Sequence, residues 1–81
     1  MNYPVIDPVG TGANIKALIK GSGNTVAGTA RVLGLAEKST IYKWMRGDAM
    51  PSIDNLVILA AVLETTMDEI IVVDIPASRC G

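Results

Sequence analysis

The chain has 81 residues, a formal net charge of −1 at pH 7 and 49% apolar residues, enough for one modest core without covalent staples. Its one cysteine, Cys80, excludes a disulfide framework and fits a reducing compartment. No apolar run approaches the roughly 20 residues that cross a bilayer, and residues 1–4 lack the basic start of a signal peptide. We therefore expect a soluble, cytoplasmic, single-domain protein.

The charges divide between the two halves of the chain. Residues 11–47 carry six basic residues and one acid, Glu37, whereas residues 48–75 carry six acids and no base. A segment near +5 is thus joined to one near −6, and a domain this small cannot distribute such blocks evenly. One surface should therefore be positive and attract phosphate. The basic residues are Lys16, Lys20, Arg31, Lys38, Lys43 and Arg46.

Prolines mark the start of the chain. Pro4 and Pro8 are expected to exclude a helix from the N-terminal segment, which is predicted to be extended. A first helix is predicted over residues 11–20, because apolar side chains recur there at i, i+3 and i+4. Lys16 and Lys20 are expected to form an ordinary solvated face of this helix, which ends in a glycine-rich turn.

Two short helices are predicted next. The second is expected to start at Asn24 or Thr25, both good N-cap residues, and to stop at Gly34. The third is expected over residues 38–46 and to close at Gly47. Its apolar side chains fall on one side, with the single tryptophan in the core, and its polar and basic side chains fall on the other.

The acidic half is predicted to contain two more helices. Ser52 caps a fourth helix over residues 53–63, and Thr66 opens a short fifth helix that runs to about residue 71. The β-branched stretch that follows is expected to be extended. It would pair either with residues 3–7 or with a second chain.

Helices two and three have the lengths and spacing of a helix-turn-helix. A helix that reads DNA must be anchored on one side and leave hydrogen-bond donors free on the other, with its first turn at the base edges of the major groove. Ser, Tyr, Lys and Arg side chains on the outer arc of the third helix supply such donors to phosphate oxygens and base acceptors. The pattern therefore favours binding to double-stranded DNA.

At these residues the chain resembles the repressor/Cro-type (XRE-like) helix-turn-helix family of phage and bacterial regulators. The resemblance extends over roughly residues 12–71 and rests on an ordered series of landmarks rather than on any single one. The matching residues are Thr25, Ala30, Leu33-Gly34, Ser39-Thr40-Ile41, Lys43-Trp44, Arg46-Gly47, Pro51-Ser52, Asp54-Asn55-Leu56, Leu59-Ala60, Val62-Leu63 and Met67-Asp68-Glu69-Ile70.

The resemblance implies an all-α fold, a compact five-helix bundle with short extended tails. It also implies a transcriptional regulator of the phage or prophage repressor type that binds operator DNA as a homodimer. The expected division of the chain is an extended N-terminal arm over residues 1–10, a helix-turn-helix DNA-binding domain over 11–72 and a C-terminal tail over 73–81.

The resemblance assigns DNA contacts to the start of the second helix and to the third helix. Thr25 and Arg46 resemble phosphate contacts, and Thr40 resembles either a phosphate or a base contact. This assignment requires Lys43 and Arg46 to share one exposed surface that carboxylates from the second half leave uncapped. The side chains that resemble base readers are Lys38, Ser39 and Lys43, with Tyr42 beside them.

The chain departs from the family pattern at three places. Val26 stands where the family often has a DNA-contacting Gln, and Met45 replaces a frequent Glu. The turn at residues 34–37 is one residue longer than usual, so that the third helix lacks its usual Ser cap. Glu37 is thereby expected to bring a negative charge near the proposed groove.

Features of the sequence also bear on two other functional classes. A protein-interaction module or antitoxin of the same fold, with weak or no DNA binding and a toxin or effector as partner, is favoured by the acidic half and by the apolar residues 70–75. An enzyme is not expected, because the chain has no histidine and no nucleophile–base pair. Because the chain has no histidine and only one cysteine, no metal or cofactor is predicted. No membrane association is expected, because the apolar runs are short.

Overall fold

The computed structural model describes residues 4–74, which form five helices and one short antiparallel sheet. This confirms the all-α, five-helix architecture with an extended segment at each end. The elements are β1 (Val5–Ile6), α1 (Pro8–Gly21), α2 (Val26–Val32), α3 (Ser39–Arg46), α4 (Ile53–Val62), α5 (Met67–Ile70) and β2 (Val73–Asp74).

The start of α1 differs from the prediction. The helix begins at Pro8, three residues earlier than expected, and Asp7 is its N-cap: the Asp7 carboxylate accepts a hydrogen bond of 3.0 Å from the amide of Gly10. Treating Pro8 as a helix breaker was wrong because proline fits the first position of a helix. An amide there would have no intrahelical partner, and the proline ring already holds the helical φ.

The other helix ends follow the predicted cap residues. The hydroxyls of Thr25, Ser52 and Thr66 each accept a hydrogen bond from the amide three residues later, at 2.9, 3.2 and 3.3 Å. Gly34 and Gly47 adopt the left-handed conformation, with φ of 73° and 81°, as a helix C-terminal stop requires. The local signals therefore fix where α2, α4 and α5 begin and where α2 and α3 end.

One core draws side chains from all five helices and their caps. The single tryptophan, Trp44, is 3% exposed, which confirms its predicted place in the core. The remaining buried apolar residues are Ile15, Ile19, Ala30, Leu33, Ile41, Leu56, Leu59, Ala60, Leu63 and Ile70.

The two ends of the described chain are tied together beside α1. Val5 pairs with Asp74 and Ile6 with Val73, which confirms pairing between the terminal segments within one chain. The buried hydroxyl of Thr11 accepts a hydrogen bond of 2.9 Å from the amide of Val72. The predicted contributions of residues 3 and 75, and the tail that contains the cysteine, lie outside the described residues.

The C-terminus of α5 is also capped from α1. The side-chain amide of Asn14 donates to the main-chain carbonyl of Ile70 at 3.0 Å and to that of Glu69. These carbonyls belong to the last turn of a helix and have no intrahelical partner. The side chain of Asn14 therefore holds the end of α5 against α1. Helix α1 also packs along α3.

Candidate nucleic-acid interface

α3 is anchored on one side and open on the other. Ile41 and Trp44 are 0% and 3% exposed, whereas Tyr42, Lys43 and Arg46 on the opposite arc are exposed. Residues three and four apart are neighbours on a helix surface, so these polar side chains form one continuous strip. The arrangement is the one that a groove-reading helix needs.

The backbone of α1 holds this helix rigidly. Gly12 is buried against the last turn of α3, where an added Cβ would lie 2.7 Å from the carbonyl oxygen of Met45. At the end of α3, a Cβ on Gly47 would lie 2.8 Å from the Cα of Val9. Because no side chain separates these backbones, α3 has little freedom to shift against α1.

The predicted base readers lie at the start of α3 and on its outer face. Lys38 occupies the N-cap position with an exposed side chain and makes no side-chain cap bond. The hydroxyl of Ser39 donates a hydrogen bond of 3.0 Å to the carboxylate of Glu37. Lys43 is exposed, and within residues 4–74 no carboxylate lies within 4 Å of its ammonium group.

The predicted phosphate contacts come from two helices, α2 and α3. Thr25 is exposed at the start of α2, and its hydroxyl, which accepts the cap bond, still has a proton to donate. Thr40, assigned to either role, is half-buried in the first turn of α3. Arg46 lies in the last turn of α3 and Nε makes a 2.9 Å ion pair with Asp48.

The DNA-binding assignment requires that no carboxylate from the acidic half of the chain pairs with Lys43 or Arg46. Within the described residues Lys43 meets this requirement, and Arg46 does not, because Asp48 pairs with it. Both side chains of the pair are 60% exposed. Exposed pairs of this kind contribute only about 0–1 kcal/mol, so a phosphate can replace Asp48 as the partner of the guanidinium.

A pocket of about 450 Å³ joins α3 to α1 and to the start of α2. Lys16 and Lys20 line it together with Tyr42 and Arg46. Both lysines are exposed, as predicted for a solvated face, and they also border this pocket. Their i, i+4 spacing was visible in the sequence, but the same spacing occurs whether such a pair faces open solvent or borders a concave site.

The described residues contain no cluster of three or more His, Cys, Asp or Glu side chains that could hold a metal ion. Over the same residues, no helix has the length and apolar character that a membrane span needs.

Comparisons with known proteins agree with this geometry. A helix-turn-helix family model matches residues 15–70. A similar solved structure is the restriction-modification controller protein C.AhdI from Aeromonas hydrophila. It is 26% identical, with a TM-score of 0.71 over 79% of this chain and 96% of that one. No match was found among curated proteins.

The fold and the strip on α3 define a helix-turn-helix DNA-binding protein. The chain belongs to the repressor/Cro-type (XRE-like) helix-turn-helix family, a family of DNA-binding transcription regulators rather than of enzymes.

Proposed function

We propose that this protein is a sequence-specific transcriptional regulator of the phage or prophage repressor type, which reads the major groove with α3. The observation that carries the proposal is the two-sided character of α3. Ile41 and Trp44 anchor one side in the core, and the other side carries only polar and basic side chains. Residues 11–72 are the proposed DNA-binding domain.

Base recognition is assigned to the start and middle of the helix. Lys43 is the best placed base reader, because its ammonium group is exposed and free of carboxylates within the described chain. Lysine donates to the guanine O6 and N7 acceptors of the major groove. Lys38, Ser39 and Tyr42 act beside it, and the bond between Ser39 and Glu37 must open or rotate for the hydroxyl to reach a base.

Phosphate contacts are assigned to the flanks. The proton of the Thr25 hydroxyl is available for a phosphate oxygen on one strand, and Arg46 exchanges Asp48 for a phosphate on the other. Thr40, in the first turn of α3, is proposed to contact either the backbone or a base. Such contacts fix the register of the protein on the duplex, and they carry most of the salt dependence of binding.

The regulator is proposed to act as a homodimer in the cytoplasm. Two copies on a symmetric operator would sit about 34–36 Å apart, one turn of the duplex. Self-association is supported by α4, which leaves Ile53 and Val57 at 75% and 52% exposure on one helical face. Apolar side chains clustered on a surface in this way are typical of a protein contact.

The test is selection of random duplex DNA on the purified protein, read by sequencing. We expect an enriched motif with two-fold symmetry and half-sites about one turn apart. Variant Lys43→Ala should lose the enrichment at one position of each half-site, while Arg31→Ala, which removes an exposed cation outside the strip, should keep the motif. A pool that stays random with all three proteins would contradict the proposal and favour the antitoxin alternative.

A further inference from the structure

We propose that the pocket between α1, α2 and α3 is a binding site for a small organic anion with an apolar body, and that its occupation competes with DNA. The existence of the site does not depend on the proposed function, because ligand binding can be measured on the protein without DNA. The competition rests on the proposed function, because two lining residues, Tyr42 and Arg46, belong to the DNA-contacting strip.

The floor of the pocket is apolar. Ile19 is a core residue at 3% exposure, and Val26 and Met45 are half-buried against the core. Ligand pockets are concave sites of about 300–1,000 Å³ with mostly apolar walls and a few placed polar groups. A volume of about 450 Å³ therefore suits a body of one or two aromatic rings.

The rim of the pocket is cationic. Lys16 and Lys20 lie on one side of it and Arg46 on the other, and none of the described residues that line the pocket is acidic. Within the described chain neither lysine has a carboxylate within 4 Å, and Arg46 is held only by its exposed pair with Asp48. Three positive groups around an apolar floor select an anion whose charge can remain at the solvent edge.

Two uncharged polar side chains, Tyr42 and Asn24, also line the pocket. Tyr42 is 44% exposed and lies at the rim, where its hydroxyl is free to donate to the anionic group. The side-chain amide of Asn24 already donates to the hydroxyl of Ser22 at 2.9 Å, which holds it at the wall. The lining therefore offers donors for the anionic group of a ligand and apolar side chains for its body.

Titration with 8-anilinonaphthalene-1-sulfonate tests the site, with N-phenyl-1-naphthylamine as the neutral ligand of the same apolar body. We expect saturable one-to-one binding of the sulfonate, followed by fluorescence, and clearly weaker binding of the neutral amine. Amide chemical shifts in a ¹H–¹⁵N spectrum should move at Ile19, Val26 and Met45. Equal affinity for the two probes, or shifts confined to other residues, would overturn the proposal.

Two variants and one control locate the charge requirement. Lys20→Ala should weaken sulfonate binding by about two- to fivefold, as expected for one exposed cation. Met45→Glu places a carboxylate at the floor and should weaken it by more than about tenfold. Arg31→Ala removes an exposed cation outside the pocket and should leave binding unchanged. Because Lys20 is exposed, Lys20→Ala keeps the test valid even if Met45→Glu fails to fold.

The coupling to DNA is tested separately with a duplex recovered by selection. Saturating sulfonate should raise the apparent Kd for the duplex in the wild-type protein, and it should raise it less in Lys20→Ala at the same probe concentration. An unchanged Kd at saturation would overturn the competition and leave the site intact. Failure of the protein to bind any duplex would contradict the proposed function without touching the titration.

Discussion

Gly12 of α1 packs directly against the main-chain carbonyl of Trp44 in α3, with no side chain between the two backbones. The contact lies at the last turn of α3. It fixes how far α3 stands out from the bundle, and so how deeply its outer face could enter a groove. A glycine at this position of α1 therefore sets how closely α3 packs against it.

The first prediction concerns this contact. Gly12→Ala should lower the free energy of unfolding by about 1–3 kcal/mol, because a Cβ would overlap the carbonyls of Trp44 and Met45 and force the helices apart. Denaturant unfolding followed by circular dichroism measures the change. Gly21→Ala is the matched control, since a Cβ there meets nothing within 4 Å and should be neutral or stabilising by up to about 1 kcal/mol. Equal effects of the two substitutions would contradict the close packing.

The second prediction concerns the end of α4. Glu64 has a φ of 55°, the one left-handed residue other than glycine within residues 4–74. Glu64→Gly should raise the free energy of unfolding by about 0.5–1 kcal/mol, because glycine adopts this conformation without a Cβ clash. The comparison is Ala61→Gly at an exposed position in the last turn of the same helix, which should lower stability by up to about 1 kcal/mol. A loss of stability in both variants would show that Glu64 is not strained.

The third prediction concerns the ion pair between Arg46 and Asp48. Asp48→Asn should strengthen binding to a selected duplex by about two- to tenfold, because it frees the guanidinium and removes a negative charge beside the phosphates. Fluorescence anisotropy measures the Kd. Glu64→Gln removes an equal charge at the far end of α4 and should change the Kd by less than about twofold. Weaker binding by Asp48→Asn would mean that the carboxylate positions Arg46 for its contact.

The fourth prediction concerns specificity. Lys43→Ala should lose about 1–3 kcal/mol of discrimination at one base position and keep it at the others, because one donor contacts one base pair. The measurement is the ratio of Kd values between the selected duplex and each single base change. Arg31→Ala should preserve every ratio. A uniform loss across all positions would reassign Lys43 from base recognition to phosphate contact.

Much of the fold could be predicted because its signals are local. Cap residues such as Thr25 and Ser52 indicate where a helix starts, because each accepts a hydrogen bond from the amide three residues later. Gly34 and Gly47 indicate where helices end, because they adopt a backbone conformation that other residues rarely adopt. The start of α1 was missed although its signal was also local, since an Asp before Pro8 is an N-cap followed by proline at the first helical position.

The features of the candidate site that were missed depend on tertiary packing. Lys16 and Lys20 border the pocket only because α1 packs along α3, and no property of residues 16–20 alone reveals that neighbour. One missed feature is local instead: Arg46 and Asp48 lie two residues apart across the left-handed turn at Gly47, and the sequence predicts the turn but not the directions of the two side chains. The sequence indicates which side chains are polar, and packing decides which of them meet.

The most direct test of the central claim, that the outer face of α3 binds DNA through its cations, is the salt dependence of binding to a selected duplex. We expect a steep linear fall of log K with log salt for the wild-type protein. Arg46→Ala should make that slope shallower by about 0.9, the contribution of one phosphate contact. Arg31→Ala should keep the wild-type slope. Wild-type affinity that stays constant from low to high salt, or an Arg46→Ala slope equal to that of Arg31→Ala, would contradict the account.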